Sequence, residues 1–235
     1  MIELMIALVI SGVLFSGLMA IFIANLDHYR RTIDINRLTE ELQAIMSVMT
    51  TEIRRAGYSG TANVDIGTHT NTNPFMANGV DINVDATKDC ILFAYDHNSD
   101  GILPSISSSY DDERYGFRLL KNQVMNTGTA AVNVIQTRGY GGTYSCTPSS
   151  GDGWQNLSDV HLINITNLQF TLTTDTMTTG PGSTGIAMRS VDITLTGQLV
   201  YDPTVTETLT EHVKVRNDEY IGNDGGEEQV YQGRQ

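Results

Sequence analysis

The residues best placed to do chemistry are Asp96-His97-Asn98-Ser99-Asp100-Gly101-Ile102, a D-x-N-x-D-G-I run. Carboxylate and amide oxygens at alternate positions converge on a hard cation, a glycine allows the sharp turn, and the next carbonyl is a further ligand, as in the first half of an EF-hand-like calcium loop. Position 12 of such a loop is Ser107 rather than the usual Glu, so a longer loop carrying Asp111, Asp112 and Glu113 has to complete the shell. The candidate calcium set is therefore Asp96, Asn98, Asp100, the Ile102 carbonyl and Asp112. The competing reading is an ordinary Asp/Asn/Gly turn between strands. Calcium is the one cofactor the residues suggest.

Other reactive side chains form no recognisable set. His28, His69, His97, His161 and His212 are scattered without an H-E-x-x-H, and the chain has no G-x-S-x-G, P-loop or dinucleotide fingerprint. The expectation is a protein that is not an enzyme. Cys90 and Cys146 are the only thiols, too few for a cysteine zinc cluster. Trp154, in the Gly-rich stretch Ser150-Gly151-Asp152-Gly153-Trp154, reads as a partly buried anchor. The chain has 235 residues and a net charge of −13. General nucleic-acid binding is not expected from that balance, and Lys88, Lys121, Arg138 and Arg189 are too dispersed in sequence to make a basic patch.

The elements that must position these residues fall into two kinds. Residues 4–26, LMIALVISGVLFSGLMAIFIANL, carry no charge and span about 34 Å as a helix, against a bilayer core of ~30 Å. No Lys or Arg precedes this run, so it reads as a retained segment rather than a cleaved signal. Glu3 stands at its edge. That carboxylate is either solvated at the interface or buried in an assembly beside a cation, since an unpaired acid in lipid costs a few kcal/mol. Residues 27–57 continue the helix. Leu38, Leu42, Ile45, Met49 and Ile53 mark one apolar face, with charges between them. Gly57 and Gly60 supply a stop, with Arg54 and Arg55 in the last turn.

The periodicity then changes. Residues 61–89 read as a long loop with short elements. Strands are expected at 90–95, 115–120, 131–135, within 160–172 (one or two), at 191–195 and at 209–215, separated by Gly, Asn and Asp clusters. Residues 217–235 read as a loosely held polar tail. The fold class is α+β: a long N-terminal helix packed on an antiparallel β-sheet head. Residues 1–57 form the helix, with 1–26 the membrane or filament core and 27–57 packing on the head, and residues 58–235 form that head.

This organisation resembles a type IV pilin. The run Ile2-Glu3-Leu4-Met5-Ile6-Ala7-Leu8-Val9 is similar to the start of mature pilins, in which a Glu is the fifth residue. Met49-Thr50-Thr51-Glu52-Ile53-Arg54-Arg55-Ala56-Gly57-Tyr58 resembles the helix end of the PilW-like minor pilins, as do Arg114-Tyr115-Gly116-Phe117-Arg118-Leu119 and Val213-Lys214-Val215-Arg216-Asn217. Glu3 is third rather than fifth. On that offset Gly12 falls where many pilins have a helix-loosening Gly, and Ala20 where many have Pro, so the helix is a candidate for melting near Ser11–Gly17.

The resemblance implies a subunit held in the inner membrane, processed by a prepilin peptidase and N-methylated. A separate ATPase would then drive it, as a minor pilin or as the main building block, into a helical filament of its own copies or other pilins at the bacterial cell surface. Glu3 would pair with a neighbour's N-terminal ammonium and set register, with Gly12 as a second assembly residue. Motility, adhesion or DNA uptake would be the outlet. A type II secretion pseudopilin, forming a short periplasmic pseudopilus, is the alternative, and a tip adhesin or binding pilin a third. Related pilin-like proteins use calcium in the head. In such an extracytoplasmic head Cys90 and Cys146 are expected to be a disulfide, against two buried free thiols.

Overall fold

A computed structural model describes residues 2–62, 73–105, 112–124, 131–139, 141, 143–147, 153–178 and 185–221. The chain opens with one α-helix, α1, from Ile2–Ile53, whose 52 residues make a rod about 78 Å long. No Pro interrupts it before Pro74. Its buried residues are Leu38, Leu42, Ile45, Met46, Met49 and Ile53, which is the expected face widened by Met46.

The helix ends one turn earlier than the charge pattern suggested. Arg54 and Arg55 lie in the turn beyond it, where Arg55 N bonds Glu52 O and Ala56 N bonds Ile53 O. Gly57 then takes φ +72°, and a Cβ there would come within 2.5 Å of Met76 Cε. The freed carbonyls find distant partners. Arg216 N donates to Arg54 O at 3.0 Å, and the Asn217 amide donates to the carbonyls of Arg55 and Ala56. Helix ends need such partners when water is excluded.

Two antiparallel sheets form the head. The first is a meander of β1 (Asn83–Val84), β2 (Cys90–Ala94), β3 (Arg114–Gln123), β4 (Val132–Arg138) and β5 (Trp154–Asn156), in that order. The second pairs β6 (Ile163–Thr178) with β7 (Gly185–Leu199), and β7 with both β8 (Thr206–Lys214) and β9 (Glu219–Ile221). Ser190–Gln198 of β7 pairs with β8 and Gly185–Ala187 with β9, so those two strands share one edge end to end. Residues 160–172 hold one strand rather than two, and its register shifts between Ile165 and Asn167 without ending it. β9 corrects the expectation of a loose tail over its three residues.

Along β7 the burial alternates, with Ala187, Arg189, Val191, Ile193, Leu195 and Leu199 facing inward. This is the period of a strand with one wet face. The core lies between the sheets and the stripe of α1, joining Leu42 and Met49 to Ile91, Phe93 and Phe117 of the first sheet and to Ile165, Phe170 and Ile193 of the second. Arg189 of β7 also pairs with Asp81, just ahead of β1, which ties the sheets ionically.

Helix and strand approach closely at Gly197, where a Cβ would stand 2.9 Å from Leu42 Cδ2. Leu42→Ala is expected to cost about 3 kcal/mol, and Gly197→Ala about 1 kcal/mol by overpacking. In the double variant the new methyl occupies the vacated space, so the two losses add to less than their sum. A urea-unfolding double-mutant cycle measures that coupling, and strict additivity would show that the two residues do not meet.

Candidate functional site

Two regions bear on function, one at each end of α1. The first is the free half of α1. Every residue from 2 to 26 is exposed, including Leu4, Leu8, Leu14, Phe15, Leu18 and Phe22 at 58% exposure or more. This stretch is long and apolar enough to cross a membrane. Glu3 is the acidic residue of its first turn, where the helix dipole favours a negative charge. The helix continues without a break through Ser11–Gly17. Ser11 and Ser16 hydroxyls donate to the carbonyls of Leu8 and Val13, and nothing packs within 4 Å of where a Cβ would sit on Gly12 or Gly17. The segment proposed for melting is thus helical here, and no contact within the described chain requires glycine at either position.

The second region lies where α1 ends and the first sheet begins. Tyr95 follows β2, and its hydroxyl donates to Glu52 Oε2 of α1 at 2.5 Å. Its ring stacks on Tyr115 of β3 with centroids 4.2 Å apart. Burial, then the Glu52 carboxylate, raises the Tyr95 phenol well above its ordinary pKa, so it stays a donor.

Asp96 is the next residue and is buried. Its Oδ2 accepts from Gly60 N at 2.7 Å and Gly101 N at 2.9 Å, and its Oδ1 from Asp100 N at 3.2 Å. Gly101 supplies the bend at φ +73°, and Thr61 fills the place its Cβ would take. Asn98 Oδ1 accepts from Asp100 N, the Asn98 amide donates to Asp100 Oδ2, and Ile102 N donates to Asp100 Oδ1. The D-x-N-x-D-G run is therefore wrapped around its own carboxylates.

The third acid is Glu113, which is 2% exposed. Its Oε1 accepts from His97 N at 2.7 Å and Asn98 N at 3.3 Å. Its Oε2 is buried with no hydrogen-bond partner among the described residues. One oxygen each from Asp96, Asp100 and Glu113 lie within 4.8 Å of one another. Burial raises the Glu113 carboxyl above the usual range, the two N–H bonds oppose it, and the neighbouring Asp96 and Asp100 charges add to it.

Asp112, the acid expected in this group, is placed elsewhere. It is buried between two guanidinium groups, with Oδ1 2.7 Å from Arg114 Nη1 and Oδ2 bonded to Arg138 Nη2. Glu113 takes the position in its stead. Glu113 takes φ +54° just ahead of β3, so strand alternation does not place the two acids, and no local sequence signal singles out Glu113. Ser107 and Asp111 lie outside the described residues.

Cys90 and Cys146 form a disulfide, with Cα atoms 5.9 Å apart. Arg118 holds the same segment by donating to the Cys146 and Thr147 carbonyls, while its guanidinium lies 4.3 Å over the half-buried Trp154 ring. Of the cations weighed as a basic patch, Arg138 and Arg189 are buried in ion pairs and Lys121 is paired with Asp89. The helix-end segment and the two head segments that carry the sequence resemblance also converge, since Asn217 caps the turn at Arg55 and Ala56, and Tyr115 stacks on the tyrosine bound to Glu52.

A family model described as Prepilin peptidase-dependent protein B matches residues 31–215, from within α1 through the end of β8. No curated protein and no solved structure matches the chain.

Proposed function

The chain belongs to the prepilin peptidase-dependent protein B family, and from that premise we propose that it is a type IV pilus subunit of the PilW-like minor group, built into a surface filament through the free half of α1. The observation that carries this reading is the contrast within one helix. Residues 38–53 are built into the head's core, whereas residues 4–26 carry no charge on any side and are all exposed. An apolar rod of that length is stable in lipid, and equally so when surrounded by copies of itself, but not in water. The subunit waits in the inner membrane and is drawn from it during assembly by a separate ATPase. Its partners in the filament are its own copies or other pilins.

Glu3 supports the same reading. A carboxylate among packed apolar helices needs a cation, because removing one member of a buried pair costs about 3–5 kcal/mol. The N-terminal ammonium of an adjacent subunit meets that need and sets the stagger between neighbours.

Glu3→Leu is the test. The variant is expected in the membrane fraction at the wild-type level and absent from sheared surface filaments, where the wild-type chain is recovered. Equal recovery of the variant in filaments refutes the role of Glu3. A wild-type chain found in envelope-bound assemblies and never in sheared filaments refutes the surface-pilus reading in favour of a periplasmic pseudopilus.

A further inference from the structure

We propose that Asp96, Asp100 and Glu113 hold one calcium ion at the seam between the end of α1 and the first sheet. The site is independent of the filament reading above. Three carboxylates meet here, and none of the ion pairs among the described residues involves them. Calcium takes oxygen ligands at about 2.3–2.6 Å, so two ligands facing each other across the ion stand roughly 4.9 Å apart. The three oxygens, all within 4.8 Å of one another, fit inside that sphere.

The second observation is independent of the clustering. Glu113 is 2% exposed, its Oε1 is already occupied by two backbone N–H groups, and its Oε2 is buried without a partner among the described residues. A buried carboxylate oxygen left in that state is costly, and a cation is what it lacks. The donor set selects the metal. Carboxylate oxygens with the Asn98 amide beside them are hard ligands, with no thiolate or imidazole in the group, which suits calcium over zinc or copper. The loop geometry agrees: Asp96 gathers the N–H groups of Asp100 and Gly101 while Gly101 makes the turn.

The position says what the ion does. Asp96 also binds Gly60 N, seven residues beyond Ile53 at the end of α1, and the Gly60 backbone is pressed against Ser99, with its missing Cβ 2.7 Å from Ser99 O. One cation therefore ties the loop after β2 to the approach to β3, and Asp96 carries that link on to the segment after α1 through Gly60 N. Loading it locks the helix to the head.

The experiment uses the full chain in detergent, stripped with a chelator. Titration calorimetry with CaCl₂ is expected to show one ion per chain, with a Kd on the order of 10⁻⁴ M, and calcium is expected to raise the Tm. Glu113→Gln keeps the acceptor for His97 and Asn98 and removes the charge. It is expected to weaken binding about tenfold or more and to leave the calcium-free Tm no lower than wild type. Asp100→Asn, on an exposed side chain, keeps an acceptor oxygen for Ile102 N and is expected to weaken binding as well. Absence of heat and of any Tm shift in the wild type up to about 10 mM calcium overturns the proposal. So does calcium binding by both variants at the wild-type affinity. Magnesium binding as tightly as calcium overturns the choice of ion.

Discussion

Asp112→Ala is expected to cost the head about 3–5 kcal/mol, much of the ~5–15 kcal/mol that holds a typical domain together. Asp112 has no exposed side-chain surface, Arg138 none, and Arg114 only 8%. The group already carries two cations against one anion. Asp112 is the counter-charge for both, and without it two guanidinium groups share a site closed to water. Arg138→Met is expected to be much milder, because it leaves the one-to-one pair of Asp112 and Arg114. Its remaining cost is the loss of the bonds to the Arg114 and Gly141 carbonyls and of the contact with the Tyr144 ring. Urea unfolding of the purified chain ranks the variants. If Asp112→Ala lost under about 1 kcal/mol, or fared no worse than Arg138→Met, the site would be wetter than its geometry implies.

Reduction of the Cys90–Cys146 bond is expected to cost about 4 kcal/mol, the loop-closure value for a separation of 56 residues. Cys146 stands in a short segment with no strand of its own, tied otherwise by Arg118 reaching two carbonyls at 3.3–3.4 Å and by Tyr144, whose hydroxyl donates to Val80 O and whose ring lies against Arg138. Cys90→Ser with Cys146→Ser should therefore lower the urea midpoint and expose residues 143–147 to protease before the sheets open. Alkylation without reductant should leave the native mass unchanged and add two groups after reduction. A loss below about 1 kcal/mol in the double serine variant would mean that Arg118, Tyr144 and the turn carry that segment unaided.

What could be read beforehand, and what could not, divides along sequence distance. The buried stripe of α1 was legible because Leu38, Leu42, Ile45, Met49 and Ile53 repeat with the helix itself. The middles of β2, β3, β4, β7 and β8 announced themselves by apolar clusters or strict alternation. β1, β5 and β9, two or three residues each, have no pattern of their own and exist because a neighbouring strand offers an unpaired edge. The far half of β6 is exposed Thr, Asp and Met, and it is a strand because β7 pairs with it residue by residue up to Thr178–Gly185. In the acidic site the same division holds. Asp96, Asn98 and Asp100 are two apart, and their convergence is local. Whether Asp112 or Glu113 joins them is decided by Arg138, which arrives from 26 residues away and claims Asp112. The caps supplied by Asn217 to Arg55 and Ala56 span more than 160 residues and leave no local trace.

The unbroken course of α1 has a mechanical consequence. A tug on its apolar end travels down a rod whose backbone hydrogen bonds lie parallel to the pull, with no hinge to absorb it. The load arrives as shear on six buried side chains, Leu38 to Ile53, seated against β7, β8 and the core behind them. The disulfide and the Asp112 cluster belong to the other sheet, away from that line of force. Tension would therefore test the grip of the core on the helix before it tested either crosslink, and the caps at Arg54, Arg55 and Ala56 are the rivets at the end of the shaft.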